Sequence, residues 1–314
     1  MNLHHSEDEF EELIELASQT FNIPSNAVRK DYFITLILKN LESSIFSENV
    51  VFKGGTSLSK CYPNSIERFS EDIDLTYIPD DEMSNKQISR KLKSIEKALI
   101  GYGQFEKNND ERNDRNKSSF VWFNDEFKDI ESIKLEIGSS VKPHPYSKRT
   151  MKSYIQEYLE SINENEAIEE YKLLEISLNV LNIERTFIDK LMSVKRHAIC
   201  GTLPTKVRHI YDIVKLYEMG EIQDFMNNYE KLKEIIDLTK QTDSIYLEKR
   251  NIPEEYNPLG EYAFETWSDK FTKDIKSSYE NLHNTLLYTD EKQDFSKAVD
   301  IFNDLNYKLK EINE

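Results

Sequence analysis

The spacing of hydrophobic positions changes period repeatedly in the first half of the chain and settles into one period in the second. Phe10, Leu13, Ile14 and Ala17 recur at helical spacing behind Ser6-x-x-Glu9, which has the form of a capping box. A second helix is predicted from Ser25 to about Glu42, with Tyr32, Phe33, Leu36, Ile37 and Leu41 on its apolar side. Val50-Val51-Phe52 reads as a short buried strand ending at Gly54-Gly55. A helix from Thr56 to Cys61, a strand over Ser70 to Tyr77 and a helix over Ser84 to Leu99 follow. Gln104 to Lys117 is polar and rich in Asn and charge, so it reads as a solvated loop or hairpin tip. Phe120 to Phe127, Ile130 to Ile137 and Leu174 to Leu181 have the pattern of further strands.

From Arg185 onward the helical period dominates. Phe187, Leu191 and Val194 form one face, and Ile210, Ile213, Val214 and Tyr217 another, with Pro204 between them. Polar helices continue to the end, interrupted near Ile252-Pro253 and Pro258-Leu259-Gly260. The pattern predicts an α/β domain over 1–183, with a mixed sheet flanked by helices, followed by an α-helical domain over 184–314.

Composition narrows the function classes. A net charge of −17 would repel nucleic acid if spread evenly, so a phosphate-bearing partner requires a local basic patch. Lys142 to Lys152 lacks any acidic residue. In Arg185 to His209, Arg185, Lys190, Lys195, Arg196, Lys206 and Arg208 face only Asp189 as a counter-charge. Cys61 and Cys200 have no metal-ligand spacing and read as buried thiols of a reducing compartment. The acidic start, Ser6-Glu7-Asp8-Glu9, has no signal-peptide form, and no apolar run reaches a membrane span, so a cytoplasmic protein without membrane attachment is expected.

Candidate chemistry is concentrated in FKGGTSLSKCYPNSIERFSEDIDL, Phe52 to Leu75. Alternation on a strand turns Asp72 and Asp74 to one side and Ile73 and Leu75 to the core. Two carboxylates roughly 6–7 Å apart along a strand can hold Mg²⁺, or Mn²⁺ in its place, together with water and substrate phosphate. Gly54 and Gly55 let backbone amides approach a phosphate. The helix beginning at Thr56-Ser57 would direct its N–H groups there, with both hydroxyls as added donors. Gly-Gly before a helix is commonly only a turn, and Asp-x-Asp is common on solvated strand ends. The ordered combination is far more specific and points to phosphoryl or nucleotidyl transfer from an NTP. A third carboxylate is expected as base or metal ligand, and Glu136 on the alternating strand Ile133 to Ile137 is the candidate. Lys190 would neutralise β/γ-phosphate charge as pyrophosphate leaves, and Asp212 would orient Lys190 or contact ribose or base. His197 and His209 are candidate bases; histidines in basic helices more commonly satisfy backbone or contact phosphate.

These motifs resemble the AbiEii/AbiGii family of nucleotidyltransferase toxins, which includes the MenT toxins, within the DNA polymerase β-like superfamily. The resemblance is carried by KDYFITLILKNL (Lys30 to Leu41), FKGGTSLSK (Phe52 to Lys60) and RFSEDIDL (Arg68 to Leu75). RTFIDKL (Arg185 to Leu191) and RHIYDIVKL (Arg208 to Leu216) support it; the last hundred or so residues add little. It implies Asp72 and Asp74 as metal ligands, Ser70 beside them, and Lys190 and Asp212 as later members of the active site. It further implies a toxin of a toxin–antitoxin or phage-defence pair, a cognate antitoxin encoded nearby, and a tRNA 3′ end or other RNA as acceptor. The alternatives are transfer to an antibiotic or a protein side chain, with net acidity favouring a cationic acceptor, and a non-catalytic nucleotide-binding module.

Overall fold

The computed structural model describes residues 2–248 and 252–311. They form two compact units, one of the described residues up to 61 together with 69–181, the other of 62–68 together with the described residues from 182 onward. The second unit therefore includes a seven-residue segment that lies, in sequence, inside the first.

The first unit is built on a seven-stranded mixed sheet in the order β3-β4-β5-β2-β1-β7-β6. Its strands are β1 (Val50–Lys53), β2 (Asp72–Tyr77), β3 (Gln104–Lys107), β4 (Asn116–Trp122), β5 (Ile133–Gly138), β6 (Tyr146–Met151) and β7 (Ile176–Leu181). β2 runs antiparallel to β1 and parallel to β5, and β1 runs parallel to β7. β1 and β7 are buried at nearly every position, including Val51, Phe52, Leu178 and Val180, whereas β5 and the start of β2 alternate, burying Ile73, Leu75, Leu135 and Ile137. Helices α1 (Glu7–Phe21), α2 (Ser25–Glu42), α3 (Gly54–Cys61), α4 (Asn85–Ile100), α5 (Lys128–Glu131), α6 (Tyr154–Ser161) and α7 (Asn165–Glu170) complete it. Among them, α2 packs on β5 and β7, α4 on β4 and β5, and α3 on β1 and β2.

The second unit is helical: α8 (Ile183–Ile199), α9 (Val207–Tyr217), α10 (Gly220–Met226), α11 (Tyr229–Leu247), α12 (Lys273–Thr285) and α13 (Phe295–Glu311). Its C-terminal part is less polar inside than its composition implies, because Phe264, Trp267, Phe271 and Phe302 form one ring cluster with centroids 4.7–6.2 Å apart. Large aromatic rings supply much burial per residue, so few of them suffice between polar helices.

Several local expectations are revised. Ser6 is the N-cap of α1 but makes no side-chain cap bond; Glu9, its expected partner, accepts instead from the Tyr171 hydroxyl. The capping box is found at Ser84, with Gln87 closing it. Of the two readings of 104–117, the structure shows the hairpin: the segment contains β3, a 3-10 turn at Asn109–Glu111 and the start of β4, which pairs antiparallel with β3. β3 is exposed at every position, and an edge strand facing solvent carries no apolar alternation to betray it. The acid-free stretch 142–152 contains the other edge strand, β6. Cys61 is buried as expected, whereas Cys200 is only partly so.

Candidate active site

In the first unit, the site grows from the joint between β1 and α3. Gly54 sits at φ +89°, a left-handed backbone that an L side chain rarely adopts. One residue thus turns the chain, and α3 begins at Gly54 rather than after a Gly-Gly loop. A Cβ on Gly54 would also collide with the Asp74 carboxylate. The first glycine of the pair therefore makes the turn and leaves the space that Asp74 occupies.

Asp72 and Asp74 lie on β2, half-buried, while Ile73 and Leu75 fill the core. In register, Asp74 faces Lys53 on β1 and Glu136 on β5. Glu71, pointing the other way, pairs with Lys30 of α2. Thr56 donates its hydroxyl to the Asp72 carbonyl at 2.5 Å and lies 3.0 Å from Ser70 Oγ. Thr56 has a single hydroxyl proton, so Ser70 is the donor in the second contact. Ser57 donates to the Gly54 carbonyl at 3.0 Å. Both α3 hydroxyls are buried and committed to internal acceptors. They brace the turn and the start of β2 rather than offer themselves to a phosphate.

Glu136 shares a face with Asp74 but is not bare. Lys134 Nζ lies 2.5 Å from Glu136 and 2.8 Å from Glu111, so one ammonium bridges the two carboxylates. Burial, the hydrogen bond with Glu111 and the nearby Asp74 push Glu136 up to about 7, outweighing Lys134. The same hydrogen bond, with help from Lys134, holds Glu111 down at about 2. The two carboxyl groups titrate as a pair, with Glu136 raised and Glu111 lowered. Sequence reading missed Glu111, because nothing marks one acid among many in a polar stretch.

In the second unit, Lys190 on α8 and Asp212 on α9 meet directly: Lys190 Nζ is 2.7 Å from Asp212 Oδ2. A third member was not singled out from sequence. Arg68 Nε and Nη2 lie 2.6 and 2.7 Å from Asp212 Oδ1 and Oδ2, a bidentate fork onto a carboxylate with no solvent exposure. Two cations hold Asp212 far below the usual carboxylate range despite its burial. His209 lies in the same field. Burial first, then Lys190, push its imidazole well below the ordinary histidine value, and its Nδ1 is buried without a hydrogen-bond partner.

The remaining basic residues of 185–209 are largely tied up. Arg185 pairs with Asp189 at 2.7 Å and Arg196 with Asp243 at 3.2 Å. Lys195 is buried and donates to the Glu261 carbonyl at 2.5 Å, while burial pushes its ammonium down to about 8. Arg208 is exposed. His197 contacts Thr202 and is pushed down to about 4, by burial first and then by Arg196. In the first unit, Lys148 pairs with Glu48 and Lys152 with Glu160, each at 2.9 Å. Much of the basic character legible in sequence is spent inside the fold.

Paired strand carboxylates beside a glycine turn on a mixed sheet define the class of a nucleotidyltransferase. The comparisons make this specific: the profile of the family "Nucleotidyl transferase AbiEii toxin, Type IV TA system" matches residues 36–300, and the chain belongs to that family. The match extends well past the motifs, into the C-terminal helices. Among solved structures, the chain is similar to MenT4, the nucleotidyltransferase toxin Rv2826c from Mycobacterium tuberculosis H37Rv, with a TM-score of 0.50 and 15% identity. That match covers 95% of this chain and 97% of the other. It is also similar to JHP933 from Helicobacter pylori, at 18% identity and a TM-score of 0.40, over 83% of this chain and 95% of that one. No curated protein matches in sequence. The protein is thus a nucleotidyltransferase of a type IV toxin–antitoxin family, for which an NTP is the substrate and an antitoxin the partner. No helix among the described residues is long and apolar enough to cross a membrane.

Proposed function

We propose that the protein transfers an NMP from an NTP to a hydroxyl at a tRNA 3′ end, with a divalent metal held by Asp72 and Asp74. The observation that carries the metal site is the Gly54–Asp74 fit: the backbone is turned, and a side chain omitted, where the carboxylate stands. Among the described residues no three acidic, His or Cys side chains form a metal-holding group. Two carboxylates completed by substrate phosphate and water are nevertheless a set that Mg²⁺ accepts, and Mn²⁺ can replace it. When bound, the cation neutralises phosphate charge as the α-phosphate is attacked and pyrophosphate leaves.

The chain's own groups do the rest. Gly54 and Gly55 present backbone to the phosphates, with Thr56, Ser57 and Ser70 holding the turn against Asp72. Glu136, raised to about 7, acts as a positioning group beside Asp74. In the helical unit, Asp212 holds Lys190 in place. The RNA acceptor rests on what the resemblance of the motifs implies; the exposed basic surface adds residues such as Arg208.

The test is incubation of purified protein with labelled NTPs, Mg²⁺ and total RNA, followed by sequencing of tRNA 3′ ends. Label on tRNA ends that disappears in Asp74→Ala is the expected result. Label on protein or on a small molecule instead would overturn the acceptor, and no transfer to anything would overturn the metal-site reading.

A further inference from the structure

Pairing across the first unit's sheet continues the face that carries Asp72 and Asp74 beyond Glu136. Register partners share a face of a sheet, so Asp72 of β2 lies in one row with Lys134 of β5, Phe120 of β4 and Glu106 of β3. Asp74, Glu136 and Ser118 form the next row. The spacing of neighbouring strands puts Phe120, two strands from Asp72, about 10 Å away. Phe120 is exposed, whereas Val121 beside it, on the opposite face, is fully buried. Phe105 is more exposed still, but it pairs with Val121 and so points away from the site. Trp122, two positions along the strand, shares Phe120's face, but its ring is covered. Lys128 Nζ lies 4.3 Å from its centroid, and its Nε1–H donates to Asp125 at 2.8 Å.

A single exposed aromatic residue is ordinary; its position gives Phe120 a use. β2 has β1 on one side and β5 on the other. The Gly54-Gly55 turn and the start of α3 follow β1, and Phe120 lies beyond β5. In phosphoryl transfer the attacking and leaving oxygens stand roughly in line across phosphorus. With the leaving phosphates at the glycine turn, the attacking hydroxyl comes from the β5 side, and the residue that carries it lies over β5 and β4. The side chains around Phe120 decide which part of an RNA can rest there. Glu106, Glu111 and Glu136 outnumber Lys128 and Lys134, and the lysines are paired with those same acids. Such surroundings repel a run of phosphates. A neutral, flat ring is the attraction that they leave, and it suits a base.

We infer that Phe120 is an acceptor-binding residue: its ring stacks on the base of the RNA's terminal nucleotide and holds that nucleotide's hydroxyl toward the α-phosphate at Asp72 and Asp74. This rests on the proposed transfer to an RNA end, with the phosphates at the glycine turn. A terminal base has one face without a neighbour, whereas an internal base would have to leave its stack first, at a cost. Stacking tolerates any base, because each has a π-face. Phe120 therefore sets where the end lies and not which base it carries.

The experiment uses the full-length protein as wild type, F120A, F120L and F120W, with Mg²⁺, labelled NTP and two acceptors. One is tRNA, the other the same tRNA made with an abasic terminal ribose. KM and kcat are measured for acceptor and NTP separately, with thermal melting as the control for folding. On intact tRNA, F120A is expected to raise the acceptor KM about five- to a hundredfold, the scale of one lost stacked base. The KM for NTP should change less than about twofold. F120W should stay near wild type. F120L, apolar without a flat face, should resemble F120A and decides the outcome if F120A does not fold. On the abasic end, wild type and F120A should be equal, since the ring then has no base to hold. An unchanged acceptor KM in folded F120A or F120L, or the same loss on abasic as on intact ends, would overturn the stacking role. A KM for NTP that rises in place of the acceptor's would give the ring to the donor's base and overturn its acceptor role. Wild type that transfers NMP to no RNA would instead remove the reading beneath it, and shows this without any variant.

Discussion

Asp74 and Asp212 are the same side chain under contrasting conditions. Asp74 stands half-exposed on β2, in space left by a missing Cβ, with Glu136, raised to about 7, as register neighbour. Asp212 is fully buried, and both its oxygens are taken by a guanidinium and an ammonium. A carboxylate with accessible oxygens can accept a cation that arrives with substrate. One whose lone pairs are already filled can only hold its partners in place. The comparison teaches that an acid's role is set by what its neighbours leave unsatisfied, and the two residues should fail differently when replaced.

The largest difference is expected in catalysis. Asp74→Ala should lower NMP transfer at least about a thousandfold, the scale of losing metal-assisted charge stabilisation, while unfolding free energy changes by less than about 1 kcal/mol. If the variant unfolds instead, the contrast with Asp212 is broken. Asp212→Ala should do the reverse to the fold, costing about 3–5 kcal/mol in a urea titration, because two buried cations lose their counter-charge. Unchanged stability would mean that solvent reaches the cluster. Gly54→Ala sharpens the claim that a glycine makes room for Asp74. It should cost about 1–3 kcal/mol through backbone strain and reduce transfer about ten- to a hundredfold through displacement of the carboxylate.

The smallest effect is a difference in pH response. Glu136 is raised to about 7 in the fold, so the native state holds its proton more tightly than the unfolded chain does. Stability then declines as pH rises from the ordinary glutamate value through about 7. Glu136→Gln should flatten that decline in melts taken between about pH 5 and 8. Asp212 is shifted the other way and is ionised in both states throughout that window. Its contribution is present above the ordinary aspartate value and is lost only as pH falls toward its depressed folded value. Asp212→Asn should therefore leave the slope between about pH 5 and 8 unchanged, and a changed slope would show that the two acids are not separately controlled.

The central strands and long amphipathic helices were legible because burial on one or both faces writes a period into the chain. α2 was read from Ser25 to about Glu42, as found, and β1, β2, β5 and β7 were found within a few positions. β3 and β6 were not, since edge strands need no apolar alternation to pair. The Gly54-Gly55, Asp72 and Asp74 motif was equally legible, because strand alternation and glycine stereochemistry are local. The same letters misled where a polar group had an internal use: Thr56 and Ser57 read as phosphate donors and serve as braces, and Lys195 reads as a charged helix face and lies buried on a carbonyl.

What the sequence determined by itself was therefore the local chemistry: a strand that aims two carboxylates, a glycine that permits the turn before it, and motifs sufficient to indicate the nucleotidyltransferase class. Tertiary structure alone decided how charges are shared. Arg68 and Asp212 are separated by 144 residues, and Lys134 bridges Glu111 to Glu136 across strands and a turn. Side-chain period records only whether a position is buried. Which opposite charge meets it there depends on chain segments that approach one another only after folding, and that pairing separates an aspartate with accessible oxygens from one whose oxygens are both engaged.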